Sequence, residues 1–265
     1  MVLIVLLLAT IQDQPLQFGI IKREVVEQRL GQFQGNNQKR EATLKFFFEE
    51  AGCKGERLAE QPVKHVKSPN VVCTLPGESE SVIVVGAHFD RVDRSFGVVD
   101  NWSGASLLPS LYESLSVRPR RHTFVFIGFT AEEEGELGSE FYVQHLSSHH
   151  REKTRAMINM DTLGVSPTKV WASHSDPELL RLLSQAAALM KLPVAAVNVE
   201  KVGSTDSEMF RKAHIPAMTI HSITQETWPI LHSSRDQLSA IKLDDYYDTL
   251  RLVSALLALV DLKLN

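Results

Sequence analysis

The chain has 265 residues, of which 43% are hydrophobic and 23% are charged. This length and balance are typical of a globular chain with a full buried core, arranged as one large α/β domain or two small ones. The net charge of −4 excludes the basic footprint of a nucleic-acid-binding protein and gives no attraction to an anionic membrane.

The first residues form an apolar segment. Residues 1–9 are too few to span a bilayer. Their length suits the core of a signal peptide, although no Lys or Arg precedes them, as a secretory signal normally requires. We therefore treat residues 1–20 as a signal peptide or as an arm packed on the fold, and residues 21–265 as a single domain. We expect export to the periplasm or the medium, and a cytoplasmic location stays open.

Two cysteines, Cys53 and Cys73, show neither a C-x-x-C nor a zinc-knuckle spacing. In an exported protein they can pair, whereas in the cytosol they would be buried thiols. The sequence leaves both arrangements open.

Apolar periodicity predicts alternating strands and helices along the chain. Helical spacing covers residues 25–30, 38–51, 103–115, 138–146, 179–190, 207–213 and 243–262. Strand patterns cover residues 57–63, 70–75, 82–85, 123–129, 156–160, 195–199 and 217–220, the first two as a hairpin-like pair. This alternation predicts an α/β three-layer sandwich, in which helices cover both faces of a mostly parallel central sheet.

Residues of metal-ligand types follow four of the apolar strands or their trailing loops. They are His88 with Asp100, the pair Glu132 and Glu133, Asp161, and His232. Because open α/β sheets bind ligands beyond the carboxyl ends of their strands, we predict one polar site at that rim. Two histidines and three carboxylates can give two cations mixed N/O shells with a bridging carboxylate, which leaves one glutamate free to take a proton from water.

Five ordered motifs carry a family resemblance. They are G-A-H-F-D at 86–90, D-N-x-S-G-A at 100–105, A-E-E-x-G-x-x-G-S at 131–139, N-M-D at 159–161 and H-S-S-R-D at 232–236. The set resembles the two-zinc aminopeptidase family, which includes bacterial leucyl-type aminopeptidases, plasma glutamate carboxypeptidase and the glutaminyl cyclases. The resemblance runs from about residue 38 to the C-terminus and implies a zinc-exopeptidase fold, with residues 21–265 as the catalytic domain.

The resemblance also implies a role for each matched residue. By this resemblance, His88 and Asp161 would bind one zinc ion, Glu133 and His232 would bind the other, Asp100 would bridge them, and Glu132 would be the general base acting on a metal-bridging hydroxide. Asp90, grouped here with the catalytic residues, would accept the proton of the His88 nitrogen that faces away from the metal. Asp236 would do similar work near His232. His221, which also follows a strand, is the rival of His232.

The sequence departs from the family pattern in three places. Thr205-Asp206-Ser207 replaces a Ser-Asp-His triplet, Glu136 stands where an aliphatic residue is usual, and Trp102 stands where a small residue is usual. These departures leave the shape of the substrate pocket open. Trp102, Asp206 and Trp228 are candidate substrate contacts.

The leading functional hypothesis is a zinc metallo-aminopeptidase that hydrolyses the N-terminal peptide bond of a peptide substrate, with two zinc ions. A glutaminyl-peptide cyclotransferase with one catalytic zinc is the alternative, although the A-E-E-E-G-E-L-G-S form of the third motif and Leu231 before His232 favour the peptidase. A non-catalytic binding domain is the third hypothesis. We expect no nucleic-acid partner and no membrane span; a monomer is compatible with the sequence, and the metal in vivo stays open.

Overall fold

A computed structural model describes residues 10–11, 14–199 and 203–264. Residues 1–9 of the predicted apolar segment therefore lie outside the described residues. Within the described part, the strands are β1 (Thr10–Ile11), β2 (Gln14–Pro15), β3 (Leu58–Gln61), β4 (Asn70–Leu75), β5 (Val82–His88), β6 (Thr123–Phe129), β7 (Thr154–Met160), β8 (Lys169–Val170), β9 (Ala195–Ala196) and β10 (Ala217–His221). The α-helices are α1 (Arg23–Gly31), α2 (Asn37–Glu50), α3 (Ser103–Ala105), α4 (Leu108–Leu115), α5 (Leu137–Gln144), α6 (Ser148–Lys153), α7 (Pro177–Met190), α8 (Ser207–Lys212) and α9 (Leu243–Lys263).

The central sheet has the strand order β3-β4-β6-β5-β7-β10-β8-β9. Its four middle strands, β6, β5, β7 and β10, are all parallel. Antiparallel pairs occur only towards the edges, where β4 joins β6 and β3, and where β8 joins β10. The carboxyl ends of the four middle strands therefore meet at one rim. The predicted α/β fold with a mostly parallel centre is confirmed.

Helices cover both faces of this sheet. On one face, apolar side chains of α1, α2, α4, α7 and α9 pack against alternate strand residues such as Ile83 and Val85. On the other face, Val143 of α5 and Phe210 of α8 pack against Val84 and its neighbours. Because successive strand residues point to opposite faces, a continuous apolar strand such as β5 is buried on both sides.

Several boundaries differ from the sequence-based expectations. Strand β5 continues through His88 rather than ending at residue 85, so the first predicted ligand belongs to the strand itself. The predicted helix 103–115 is divided into α3 and α4, and Pro109 lies in the first turn of α4, where its missing N–H costs no hydrogen bond. Helix α6 and the two-residue strand β8 are not predicted, because elements this short carry little periodicity.

A disulfide joins Cys53, which follows α2, to Cys73 of β4. Both residues are fully buried. Of the two arrangements that the sequence leaves open, the structure therefore shows the paired cysteines and not the free thiols. None of the helices in the described part of the chain is both long enough and apolar enough to cross a membrane.

Candidate metal centre

The rim of the sheet brings the predicted ligands together. His88 ends β5, Asp161 directly follows β7, and Glu132 and Glu133 lie in the turn after β6. Because these three strands are adjacent and parallel, their last residues are neighbours although they lie far apart in sequence. Asp100 and His232 come to the same place on loops.

Two groups of side chains have the arrangement of metal sites. His88, Asp100 and Asp161 form one group, and Asp100, Glu133 and His232 form the other. In each group the ligand atoms lie within 4.8 Å of one another. His88 Nε2 is 3.7 Å from Asp161 Oδ1, and His232 Nε2 is 2.9 Å from Glu133 Oε2. The structure thus divides the predicted ligands into the two pairs that the resemblance implies, with Asp100 in both.

Asp100 uses a different oxygen for each group. Its Oδ1 lies 3.2 Å from His88 Nε2, and its Oδ2 lies 3.1 Å from His232 Nε2. The carboxylate therefore faces both histidines at once, which is the geometry of a bridging ligand.

Asp236 anchors the backbone that precedes Asp100. It is fully buried, and it accepts hydrogen bonds from Ser95 Oγ at 2.7 Å and from the Val99 amide at 2.6 Å. The interpretation that Asp236 orients His232 is not borne out: among the described residues no hydrogen bond joins the two side chains, and the bonds that Asp236 accepts come from the 95–99 segment. It positions the Asp100 loop instead.

Asp90 orders the turn that carries the two glutamates. Its Oδ1 accepts a hydrogen bond from the Glu132 amide at 3.1 Å, and its Oδ2 accepts one from the Glu133 amide at 3.2 Å. Its Oδ1 also lies 3.5 Å from His88 Nδ1, which is too long for a strong hydrogen bond. Asp90 is therefore next to His88, as predicted, but its hydrogen bonds hold the glutamate turn.

The electrostatics of the site are those of crowded, buried carboxylates. Burial raises the pKa of Glu132 well above its ordinary value, although His88 opposes the rise. Burial likewise raises the pKa of Glu133 and of Asp161. Hydrogen bonds to Asp100 and Glu133 raise the pKa of His232 to about 10. Burial removes water that would stabilise the charged carboxylates, whereas the two hydrogen bonds stabilise the charged form of His232.

The residues present fit divalent metal ions. Glu133 Oε1 is buried and has no hydrogen-bond partner among the described residues. A buried carboxylate oxygen without a partner is costly unless something positive lies beside it. Imidazole nitrogens with carboxylate oxygens are also a donor set that zinc accepts.

Both ring nitrogens of His221, the alternative candidate ligand, are hydrogen-bonded to backbone groups. Its Nε2 lies 2.9 Å from the Val197 carbonyl oxygen, and its Nδ1 accepts a hydrogen bond from the Ile223 amide at 3.1 Å. This pairing uses the neutral ring with the proton on Nε2. Burial lowers the pKa of His221 to about 4. His221 therefore lines the cavity as a neutral side chain, and His232 supplies the nitrogen to the second group.

This lowered pKa predicts a pH dependence of stability. The folded-state pKa of His221 is about 4, against about 6.5 in the unfolded chain. As pH falls from about 6.5 to 4, His221 becomes protonated in the unfolded chain but stays neutral in the folded chain. The free energy of unfolding therefore falls by up to about 3 kcal/mol. In metal-free protein, His221→Gln should flatten this part of the profile of unfolding free energy, measured with urea. Equal slopes in both proteins would contradict the assignment.

A cavity of about 290 Å³ adjoins the metal groups. Its lining includes Asp100, Glu132 and Glu133 on the metal side and the apolar residues Trp171, Ile223, Trp228 and Leu231 elsewhere. Trp228 thus lies on the cavity, as predicted. The sequence interpretation does not include Trp171, because it follows β8, a strand of two residues with no periodic signal.

Two predicted substrate contacts do not line the cavity. Trp102 is fully buried in the core, where its Nε1 donates a hydrogen bond to the Arg29 carbonyl and its ring packs near Phe47. Asp206 is also fully buried, and neither of its carboxylate oxygens has a hydrogen-bond partner among the described residues. Burial raises the pKa of Asp206 to about 7. The prediction is wrong for both side chains; Thr205 lines the cavity beside Asp206.

An α/β sheet whose rim carries two histidine–carboxylate groups with a shared aspartate defines a candidate two-metal centre. The model of peptidase family M28 matches residues 70–257, and the chain belongs to this family. This finding confirms the family resemblance of the five motifs.

Individual relatives support the same family. Aminopeptidase YwaD of Bacillus subtilis is 28% identical over 229 residues, which are 82% of this chain and 47% of that protein. The solved structure of BSAP, a zinc aminopeptidase from Bacillus subtilis, has a TM-score of 0.66 and 26% identity over 72% of this chain and 49% of that chain. A glutaminyl cyclase from an Acidobacteriales bacterium has a TM-score of 0.74 and 19% identity over 96% of this chain and 99% of that chain, a likeness of fold. The chain spans half or less of the length of the curated relatives it matches.

Proposed function

We propose that the protein is a zinc-dependent aminopeptidase that releases the N-terminal residue of a peptide. The observation that carries the proposal is the pair of metal-ligand groups that share Asp100, with Glu132 beside them and outside both. The similarity to an aminopeptidase and to a zinc aminopeptidase supports it.

The metal ions would be held by residues that the fold already brings together. His88, Asp100 and Asp161 would hold one zinc ion, and Asp100, Glu133 and His232 would hold the other. When bound, the two ions supply Lewis-acid chemistry, which polarises the scissile carbonyl and makes a water molecule more acidic.

Glu132 is the proposed general base. Its Oε2 lies 3.8 Å from His88 Nε2, so it faces the centre without belonging to either ligand group. Its raised pKa suits a carboxylate that takes a proton from the attacking water and returns it to the leaving nitrogen. The water oxygen bonds to the carbonyl carbon, the C–N bond breaks, and the released amine carries the transferred proton.

The cavity supports removal of a terminal residue. Its volume of about 290 Å³ is at the small end of ligand pockets, enough for one side chain rather than for an extended peptide. A peptide whose first side chain fills it would place its first peptide bond at the metal groups.

A mixed peptide pool tests the proposal. Zinc-loaded protein is incubated with peptides that begin with Leu, Met, Arg and Gln, and the products are followed by mass spectrometry. We expect stepwise loss of N-terminal residues. Intact peptides would contradict the proposal, and loss of ammonia from the glutamine peptide alone would instead support the cyclotransferase.

We further propose that residues 21–265 act as one catalytic domain in an oxidising compartment outside the cytoplasm. The Cys53–Cys73 disulfide supports this location, because such pairs persist where glutathione does not reduce them. The shared core of α1 and α9 supports the single domain. Cell fractionation of the native host tests the location; recovery with cytosolic markers would contradict it.

The disulfide is expected to contribute to stability. It closes a loop with a sequence separation of 20 residues, for which the chain-entropy model gives about 3 kcal/mol. The double variant Cys53→Ala, Cys73→Ala should lower the free energy of unfolding in urea by about that amount, including some loss of packing. An unchanged midpoint would show that the disulfide carries no stability.

A further inference from the structure

Glu136 is a cavity-lining carboxylate that neither metal group uses. It lies at the start of α5 and is half-buried. Its Oε1 accepts a hydrogen bond from Ser204, another residue of the cavity wall. The usual aliphatic residue of the sequence pattern would offer no charge here, so Glu136 changes the chemistry of the cavity.

The backbone holds Glu136 in a fixed position relative to Glu132. The Glu136 amide donates a hydrogen bond to the Glu132 carbonyl at 2.9 Å, and the next amide, that of Leu137, donates one to the Ala131 carbonyl at 3.1 Å. Glu136 itself lies in the left-handed region with φ of 54°. A non-glycine residue adopts that region at a cost, which the surrounding hydrogen bonds offset. The carboxylate is therefore attached to a rigid turn.

Glu136 adds a negative charge to the cavity wall beside the metal groups. The ionised side chains of Asp100, Glu132, Glu133 and Asp161 carry four negative charges, which two divalent ions balance. The described residues that line the cavity include no Lys or Arg. With the metal centre loaded, Glu136 remains as a negative charge in a cavity whose other walls combine apolar residues such as Trp171 and Ile223 with uncharged polar residues such as Thr219.

We propose that the cavity selects substrates whose first residue is Lys or Arg. Their long methylene stems match apolar walls such as Trp171 and Ile223, and their cationic ends match Glu136. The inference rests on the proposed aminopeptidase function and adds its substrate class. The cavity discriminates in this way when a cationic substrate side chain pairs with the Glu136 carboxylate and the side chain of the competing substrate carries no charge.

Lysine and norleucine test the inference, because their side chains share a four-carbon stem and differ in the ammonium group. The measurement is kcat/KM for release of N-terminal Lys and of N-terminal norleucine from otherwise identical peptides. Glu136→Gln should lower the Lys/norleucine ratio about fivefold, as expected for one partly exposed ion pair. The ratio in the unmodified protein should also fall as salt increases.

Glu134→Gln is the matched control. Glu134 lies in the same turn, but it is exposed and does not line the cavity, so this variant should keep the ratio of the unmodified protein. Equal ratios in the unmodified protein and Glu136→Gln, with N-terminal release intact, would overturn the inference alone. An effect confined to Lys at the second position of the peptide would also overturn it. Release of neither residue by the unmodified, zinc-loaded protein would overturn the proposed function with it.

Discussion

Replacing Glu132 by Gln should lower kcat for N-terminal release by about 10²–10⁴-fold. The amide keeps the size of the side chain but cannot take a proton from water. Because Glu132 belongs to neither ligand group, the variant should keep the zinc content and the fold of the unmodified protein. The measurements are steady-state kinetics on a leucine peptide and zinc per chain by elemental analysis.

Glu134→Gln is again the control, since it removes a carboxylate from the same turn at an exposed position. It should leave kcat within about twofold, because exposed substitutions rarely perturb a buried centre. Normal turnover in Glu132→Gln would contradict the assignment of Glu132 as the general base. Loss of zinc together with activity would show that Glu132 acts as a ligand instead.

Replacing Asp100 by Asn should weaken both zinc sites together. Each Asp100 oxygen faces a different histidine, at 3.2 and 3.1 Å, so one substitution removes an anionic ligand from both groups. We expect zinc affinity at both sites to fall by at least about 100-fold, beyond the losses seen when partners outside the ligand shell are removed. After dialysis, zinc per chain should fall towards zero and activity should be lost.

Single-site variants provide the comparison for Asp100. Asp161→Asn removes a ligand from the His88 group alone, and Glu133→Gln removes one from the His232 group alone. Each should lower the zinc content by about one ion rather than two. If Asp100→Asn also lost a single ion, the shared aspartate would not bridge the two sites.

The sequence predicts which residues lie at the rim of the sheet, because each buried strand is a continuous apolar run and polar residues follow where the run ends. The run of apolar residues in β5, β6 and β7 marks three buried strands, and a candidate site residue lies at or shortly after each end. The parallel order of these strands then brings His88, Glu132 and Asp161 together. These predictions depend on the periodicity of long elements, which is the most dependable part of a sequence pattern.

The parts that depend on long-range packing are not predicted. Trp102 lies two residues after Asp100 in sequence, yet its ring faces Phe47 and the core. Asp236 lies four residues after His232, yet its oxygens bind the 95–99 segment. Side-chain direction in such loops is set by contacts with distant residues, so spacing alone cannot supply it.

The choice between His221 and His232 shows the same limit. Both follow a strand or its trailing loop, and only the structure shows that both nitrogens of His221 are already hydrogen-bonded. His232, in contrast, presents Nε2 to two carboxylates. A histidine that has satisfied both nitrogens internally is a poor metal ligand, whatever its place in a motif.

Titration of metal-free protein with zinc, while the release of N-terminal leucine is recorded, tests the central claim most directly. If the two groups that share Asp100 form one catalytic centre, activity should rise to a plateau at two zinc ions per chain. A plateau at one zinc ion, or full activity in the metal-free protein, would contradict the two-metal account.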